Sequence, residues 1–226
     1  MPYRIRRSDR ARRARIQVSA EGVEVVVPRR LAMKDVEPFV EEKRPWIERT
    51  LRKMREAEAE HPPPLLEDGG EVPFLGARMA LSVLVEPKRA RPHVSRRGDT
   101  LHVKVAQPGP AALRDALERW YRRQARDEIA PRLAAATARS GTPYTTLQIR
   151  AQRTRWASCS STGAMSFNWR LLLAPEEILS YVIEHEVVHL EIHDHSPRFW
   201  AELKRRVPDY KAQETWLKRH GQSLRL

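Results

Sequence analysis

The chain is 226 residues long, with 42 Lys+Arg against 29 Asp+Glu, a formal net charge of +13, 41% hydrophobic residues and a mean hydropathy of −0.63. That apolar content is enough for a core and excludes a wholly disordered chain. The longest apolar runs, such as Val25–Val27 and Leu171–Ala174, are far too short to cross a bilayer. The basic N-terminus lacks the apolar stretch of a secretory signal, and one cysteine, Cys159, excludes an intramolecular disulfide. The expectation is a cytoplasmic protein with no membrane contact.

Residues 1–15 hold seven arginines (Arg4, Arg6, Arg7, Arg10, Arg12, Arg13, Arg15) and one acid, Asp9, which gives +6 of the +13. Such a patch either attracts phosphate, on a nucleic acid or a nucleotide, or decorates a solvated strand. Arg15–Val18 and Val23–Val27 are β-rich and joined by a hairpin at 19–22. Val36, Phe39, Val40, Ile47, Leu51 and Met54 recur at helical spacing, so residues 33–60 are expected to be a helix that Pro45 kinks or divides. His61-Pro62-Pro63-Pro64 is a stiff break.

Strands are expected at Val72–Leu75, Met79–Val85 and Thr100–Val105, then a long amphipathic helix over 108–140, bent by Pro131 and ended by Gly141. Short strands follow at Thr146–Ala151, Ala164–Phe167 and Trp169–Leu173, then helices over 175–192, 197–206 and 209–220. The fold class is α+β. A mainly β N-terminal region, 1–107, carries the one helix at 33–60 and leads into a helical part, 108–226.

The segment that carries chemistry is Glu184-His185-Glu186-Val187-Val188-His189-Leu190-Glu191-Ile192-His193-Asp194-His195. Four of the chain's eight histidines fall in it. On a helix, positions i and i+4 lie about 40° apart in projection, so His185 and His189 share a face one turn apart. Two neutral imidazoles at that spacing can grip one Zn²⁺, and Glu186 beside them can take a proton without occupying a ligand position. Pro175 at the start, Glu176 and Glu177 in the first turn, and an apolar face of Leu179, Val182, Ile183, Val187 and Leu190 make the helix credible. A catalytic zinc commonly takes a third protein ligand. His193 lies a further turn along the axis, whereas His195 precedes Ser196-Pro197, the start of a new helix, and can swing back. His195 is therefore the preferred third ligand. Mn²⁺, Co²⁺ or Ni²⁺ suits the same donors.

His-Glu-x-x-His-x5-His followed by Ser196-Pro197-Arg198-Phe199-Trp200 resembles the YgjP-type metal-dependent hydrolases, a zincin-like family placed among the metallopeptidases. Arg153-Thr154-Arg155-Trp156-Ala157-Ser158-Cys159-Ser160-Ser161 is similar to that family's Trp-Gly-Ser-Cys-Ser block, and Asn168-Trp169-Arg170-Leu171 to its run into the zinc helix. Phe39-Val40-Glu41-Glu42-Lys43, Trp46-Ile47 and Pro73-Phe74-Leu75-Gly76 extend the likeness over nearly the whole chain. Ala157 departs from it, standing where the family usually has Gly. The resemblance implies a zincin-like catalytic domain with His185, His189 and His195 as zinc ligands and Glu186 as base. It leaves three substrates open: a peptide bond, a nucleoside triphosphate (UTP pyrophosphatase activity is attributed to a member), or a protein crosslinked to DNA, as for the similar Wss1-like and SprT-like proteases.

Arg155 and Arg170 flank the zinc helix in sequence. Each either binds a substrate carboxylate or phosphate with its planar fork or stacks on the neighbouring Trp156 or Trp169. Glu184 and Asp194 are candidates to orient the ligands, Glu202 is expected in solvent, and Phe199, Trp200, Trp216 and Leu217 read as core. A peptidase using a metal-activated water is the first reading, a nucleotide pyrophosphatase the second. The competing class is a non-enzymatic basic nucleic-acid-binding module.

Overall fold

Alternating valines build the first sheet. In the computed structural model, which describes residues 2–19, 22–60, 62–152 and 154–226, the strands β1 (Arg4–Ser8), β2 (Arg15–Ser19) and β3 (Gly22–Pro28) lie in the order β1-β3-β2. Ala20 and Glu21 of the expected hairpin turn, His61 of the Pro-rich break and Arg153 of the Trp156 block lie outside the described residues. Val23, Val25 and Val27 turn to one face and pack with Val36, Val40 and Ile47 of helix α1 (Val36–Glu60). The register puts Arg6 and Arg15 either side of Val26 on the opposite face, where Arg6 meets Glu24 at 3.0 Å. β1 has one apolar residue, Ile5, so no alternation announces it in the sequence. A short 3-10 turn at Met33–Asp35 precedes α1, which runs unbroken through Pro45. Residues 1–62 form one compact unit together with 219–223, in which Arg219 ion-pairs with Glu60 at the end of α1.

The second unit comprises residues 63–218 and 224–226. It begins at the Pro-rich break, whereas the expected catalytic part begins at residue 108. β4 (Glu71–Phe74), β5 (Ala77–Val85), β6 (His93–Arg97) and β7 (Thr100–Val105) make a sheet in the order β4-β5-β7-β6, with β5 and β7 parallel. Met79, Leu81, Leu101 and Val103 turn inward to the long helix α2 (Pro110–Ser140), which Gly141 ends in the left-handed region at φ 72°. α2 also packs on the second sheet of the unit, β8 (Thr146–Arg150), β9 (Ala157–Cys159) and β10 (Ala164–Asn168), in the order β8-β10-β9. Tyr121 is fully buried among Phe74, Trp120 and Trp169, and its hydroxyl donates to the Pro73 carbonyl at 2.5 Å.

Trp169–Leu173, expected as a strand, is a 3-10 turn instead. The Asn168 side chain accepts the Arg170 N–H at 3.1 Å and starts the turn, a local alternative to a sheet ladder that a short apolar run does not reveal. Helices α3 (Glu176–Val188), α4 (Pro197–Arg206) and α5 (Tyr210–His220) complete the chain, α3 ending earlier than the expected residue 192. No helix among the described residues is long and apolar enough to cross a membrane.

One turn sets where α3 begins. Leu75 (φ 49°) and Gly76 (φ 87°) both lie in the left-handed region that a two-residue hairpin between β4 and β5 demands. The Leu75 N–H donates to the Leu172 carbonyl at 2.8 Å, and a side chain at Gly76 would come within 3.7 Å of the Pro175 Cα at the foot of α3. The left-handed backbone costs an L residue roughly 1–2 kcal/mol. Gly76→Ala is therefore expected to lower unfolding stability by about that amount in urea titration, with the m-value unchanged.

Candidate metal centre

α3 is apolar on most of its surface and buries Leu179, Val182, Ile183, Val187 and Val188, so its polar face is narrow and presents His185 and Glu186 at the C-terminal end. His189 stands at the helix C-cap, still in right-handed conformation at φ −66° and ψ −13°. The chain then turns tightly, with the Ile192 N–H donating to the Val188 carbonyl at 2.9 Å, and re-enters helix α4 at Ser196-Pro197. This return carries His195 onto the first two histidines.

The donor atoms of His185, His189 and His195 lie within 4.8 Å of one another, and no other His, Cys, Asp or Glu among the described residues joins the group. The Nε2 atoms of His185 and His195 are 3.2 Å apart. Two nitrogens bound to one tetrahedral zinc at 2.0–2.1 Å would sit about 3.3 Å apart, so this pair already has the spacing of a ligand edge. His189 hydrogen-bonds through Nδ1 to the Ile192 carbonyl at 2.9 Å, which fixes its ring and leaves Nε2 as the free donor. The buried Nδ1 of His185 has no hydrogen-bond partner among the described residues. Burial, with the nearby His189 and His195, pushes His185 down to about 3, and burial likewise holds His189 below the ordinary imidazole range. Neutral imidazoles are the form a metal takes. The donor set fits a divalent transition metal.

Phe199 forms the floor. It is fully buried, and its ring centroid lies 4.9, 4.5 and 4.7 Å from those of His185, His189 and His195. Trp200 stacks on His195 at 5.5 Å and on Tyr210 at 5.5 Å, so one face of the third histidine is covered by an indole. The sequence places both residues in the core. Phe199 is there and also touches all three imidazoles, which its spacing of i+4 from His195 was able to signal. Trp200 is only half-buried.

Glu186 is 6% exposed, and burial pushes its carboxyl up to about 7 against a backbone hydrogen bond from Cys159 and the positive charge of Arg155. Among the two candidate arginines, Arg155 is exposed with its charge acting on Glu186, whereas the Arg170 guanidinium lies over the Trp169 ring at 4.6 Å. Cys159 is half-buried, and desolvation together with Glu186 pushes its thiol up to about 11.

Behind the histidines sits an ion-pair cluster. Arg206 of α4, its side chain 9% exposed, reaches Glu184 at 3.7 Å, Glu191 at 3.6 Å and Glu202 at 2.6 Å. Arg139 of α2 also pairs with Glu184. Glu184 therefore ties helices together rather than bonding a histidine, and Asp194 accepts the Ser196 N–H at 3.3 Å. Glu202, expected in solvent, is held by Arg205 and Arg206, which lower its carboxyl to about 2. Arg206 was missed in the sequence because a basic residue in the last turn of a helix is ordinary.

The family model of the YgjP-like metallopeptidase domain matches residues 12–220. The chain belongs to the YgjP-like family. It thus has a zincin-like α+β fold, and a metallopeptidase-family hydrolase of this kind implies a divalent metal. None of the curated proteins matches this YgjP-like chain. Among solved structures, the metallopeptidase zymogen of Pyrococcus abyssi abylysin is 25% identical, with a TM-score of 0.37 over 39% of this chain and 90% of that one.

Two outcomes test the cluster behind the YgjP-like site. Arg206→Leu leaves Glu184 and Glu191 short of a cation, and the expected loss is about 3 kcal/mol in urea unfolding, partly restored by Arg206→Lys. The Glu202 carboxyl is lowered on folding, so its contribution is complete above the ordinary carboxylate range and is lost as pH falls from about 4.5 toward 2. Glu202→Gln is expected to flatten the fall of the melting temperature across that window.

Proposed function

We propose that the chain is a zinc-dependent peptidase in which His185, His189 and His195 hold the metal and Glu186 is the general base. The observation that carries this reading is a buried carboxyl directly beside three convergent imidazoles, one pair already 3.2 Å apart. Structural zinc sites are normally closed by four protein ligands and often use thiolate. Three histidine donors with no fourth among the described residues favour a catalytic site over a structural one. Zinc bound there supplies Lewis-acid polarisation of a carbonyl and activation of water.

The chain's own groups do the rest. Glu186 takes the proton of the attacking water on its carboxylate and delivers it to the departing amine nitrogen. Its burial matches that task, because a carboxyl whose affinity for a proton lies near neutrality both accepts and returns it. β9 is the outer strand of its sheet and packs against α3, so an extended peptide can pair along it and bring a carbonyl to the histidines. The backbone hydrogen bond from Cys159 keeps Glu186 at that same edge.

A nucleoside triphosphate is the second reading, and the observation in its favour is Arg155, an exposed guanidinium that acts on Glu186 and suits a phosphate. The outer strand β9 favours the peptide.

The test is hydrolysis of an unstructured protein and of a panel of nucleoside triphosphates by the zinc-loaded chain. Peptide fragments are expected from the wild type. Glu186→Gln should keep one metal per chain while kcat falls by roughly 10²–10⁴. His195→Ala should weaken zinc binding at least tenfold in a chelator competition. Full activity of Glu186→Gln, or pyrophosphate release with no peptide cleavage, overturns the peptidase reading.

A further inference from the structure

The sheet that presents β9 to the histidines has a second edge, β8, and that edge is lined quite differently. Beside it runs a cleft of about 580 Å³ bounded by Arg122 and Arg126 of α2 and by Gln148, Arg150 and Gln152 of β8 and the segment after it. The charge is concentrated and mostly uncompensated. Arg122 meets Glu118 at 3.0 Å, but among the described residues Arg126 hydrogen-bonds only to the Leu147 carbonyl, at 3.3 Å, and Arg150 only to its neighbour Gln148, at 3.0 Å from Nε. Arg119, Arg122, Arg123 and Arg126 are spaced i, i+3, i+4 and i+7 along α2 and are all exposed, so they extend the basic lining along the helix. By contrast, Arg132, Arg139, Arg205 and Arg206 in the same unit all engage carboxylates.

The cleft also offers backbone. The Leu147 carbonyl is reached by Arg126 from outside the sheet, so it points away from β10. Alternation along a strand then points the backbone groups of Ile149 the same way. Deeper in, the side-chain oxygen of Gln152 is buried without a hydrogen-bond donor among the described residues. We propose that this cleft is a second substrate-binding site, which receives an extended acidic segment of a polypeptide along the free edge of β8.

Two features choose a peptide over a nucleic acid. An extended polypeptide supplies the alternating N–H and C=O groups that a strand edge lacks, and a phosphodiester does not. Among the described residues no aromatic side chain lines the cleft, so bases find no stacking platform on them. Guanidinium forks then select Asp and Glu along the added strand. β8 and β9 are separated by the single strand β10, so the two edges lie about 10 Å apart. The inference deepens the peptidase reading and rests on it only for the claim that the bound chain is a substrate.

The test is fluorescence anisotropy of the full-length zinc-loaded chain with three labelled dodecapeptides of equal length, rich in Asp/Glu, in Ser/Gly, or in Lys. The acidic peptide is expected to bind at least tenfold more tightly than the neutral one and to weaken with salt. Backbone N-methylation at alternate positions of the acidic peptide should reduce binding at least tenfold, which tests the strand pairing without altering the protein. Arg126→Glu with Arg150→Glu should reverse the preference, so that the Lys peptide binds better than the acidic one. Equal binding of acidic and neutral peptides, indifference to N-methylation, or displacement by an oligonucleotide at concentrations below those of the acidic peptide itself overturns the proposal. Acidic-peptide binding in a chain that hydrolyses no peptide would sustain the cleft and defeat the peptidase reading. Peptide hydrolysis without any charge preference in binding would do the reverse.

Discussion

The geometry of the histidine cluster depends on holding α4 against the end of α3, and Arg206 is the residue that does it. Two ligands belong to α3 and its cap, but the third arrives from the far side of a turn, just before α4 begins. Any freedom between those helices would appear directly as scatter in the position of His195. One nearly buried guanidinium answers this by engaging carboxylates from α3, from the turn and from its own helix at once. A hydrophobic contact would hold the helices together but would let them slide. A planar cation shared by three acids fixes both separation and rotation.

The second constraint is electrostatic. The site collects three imidazoles and a carboxyl in largely apolar surroundings, with Phe199 beneath all three rings. Burial keeps His185 and His189 neutral and makes Glu186 reluctant to ionise, so the cluster presents lone pairs without a large fixed charge of its own. Apart from Arg155, whose charge acts on Glu186, many of the arginines lie away from this pocket, in ion pairs, on the outer face of the first sheet and along the cleft at β8.

The constellation His185, Glu186, His189 and His195 was legible because helical periodicity turns spacing into geometry, and a serine and proline mark where the next helix starts. The long elements were legible for the same reason: α1, α2, α4 and α5 all show apolar residues at three- and four-residue intervals. What escaped had no periodic signature. β1 is three-fifths arginine, β9 is three residues long, and β6 offers a single buried residue, Val94. Trp169–Leu173 has the apolar composition of a buried strand, and only the Asn168 side chain, bonding two residues ahead, makes it a turn. The ion pairs of Glu184 were hidden because their partners lie 45 and 22 residues away in the chain, beyond what any local pattern spans. The two arginines beside the tryptophans were distinguishable only in three dimensions, where one lies over its indole and the charge of the other acts on Glu186.

The turn between His189 and His195 has two duties that bear on what sequences can occupy it. The Ile192 carbonyl orients the ring of His189, and the number of residues that follow delivers His195 to the cluster. The first duty belongs to the backbone, which every residue type provides, and the second to length alone. Residues 190–194 are therefore constrained in number throughout, and in kind only where Glu191 meets Arg206, Ile192 enters the core and Asp194 caps Ser196. An insertion or deletion of one residue there would displace one ligand and rotate another together, whereas the exposed side chain of His193 has no such duty and is free to drift. A gap-free segment between two fixed histidines, variable in composition only at positions such as 193, is the pattern that such a division of labour leaves in a lineage.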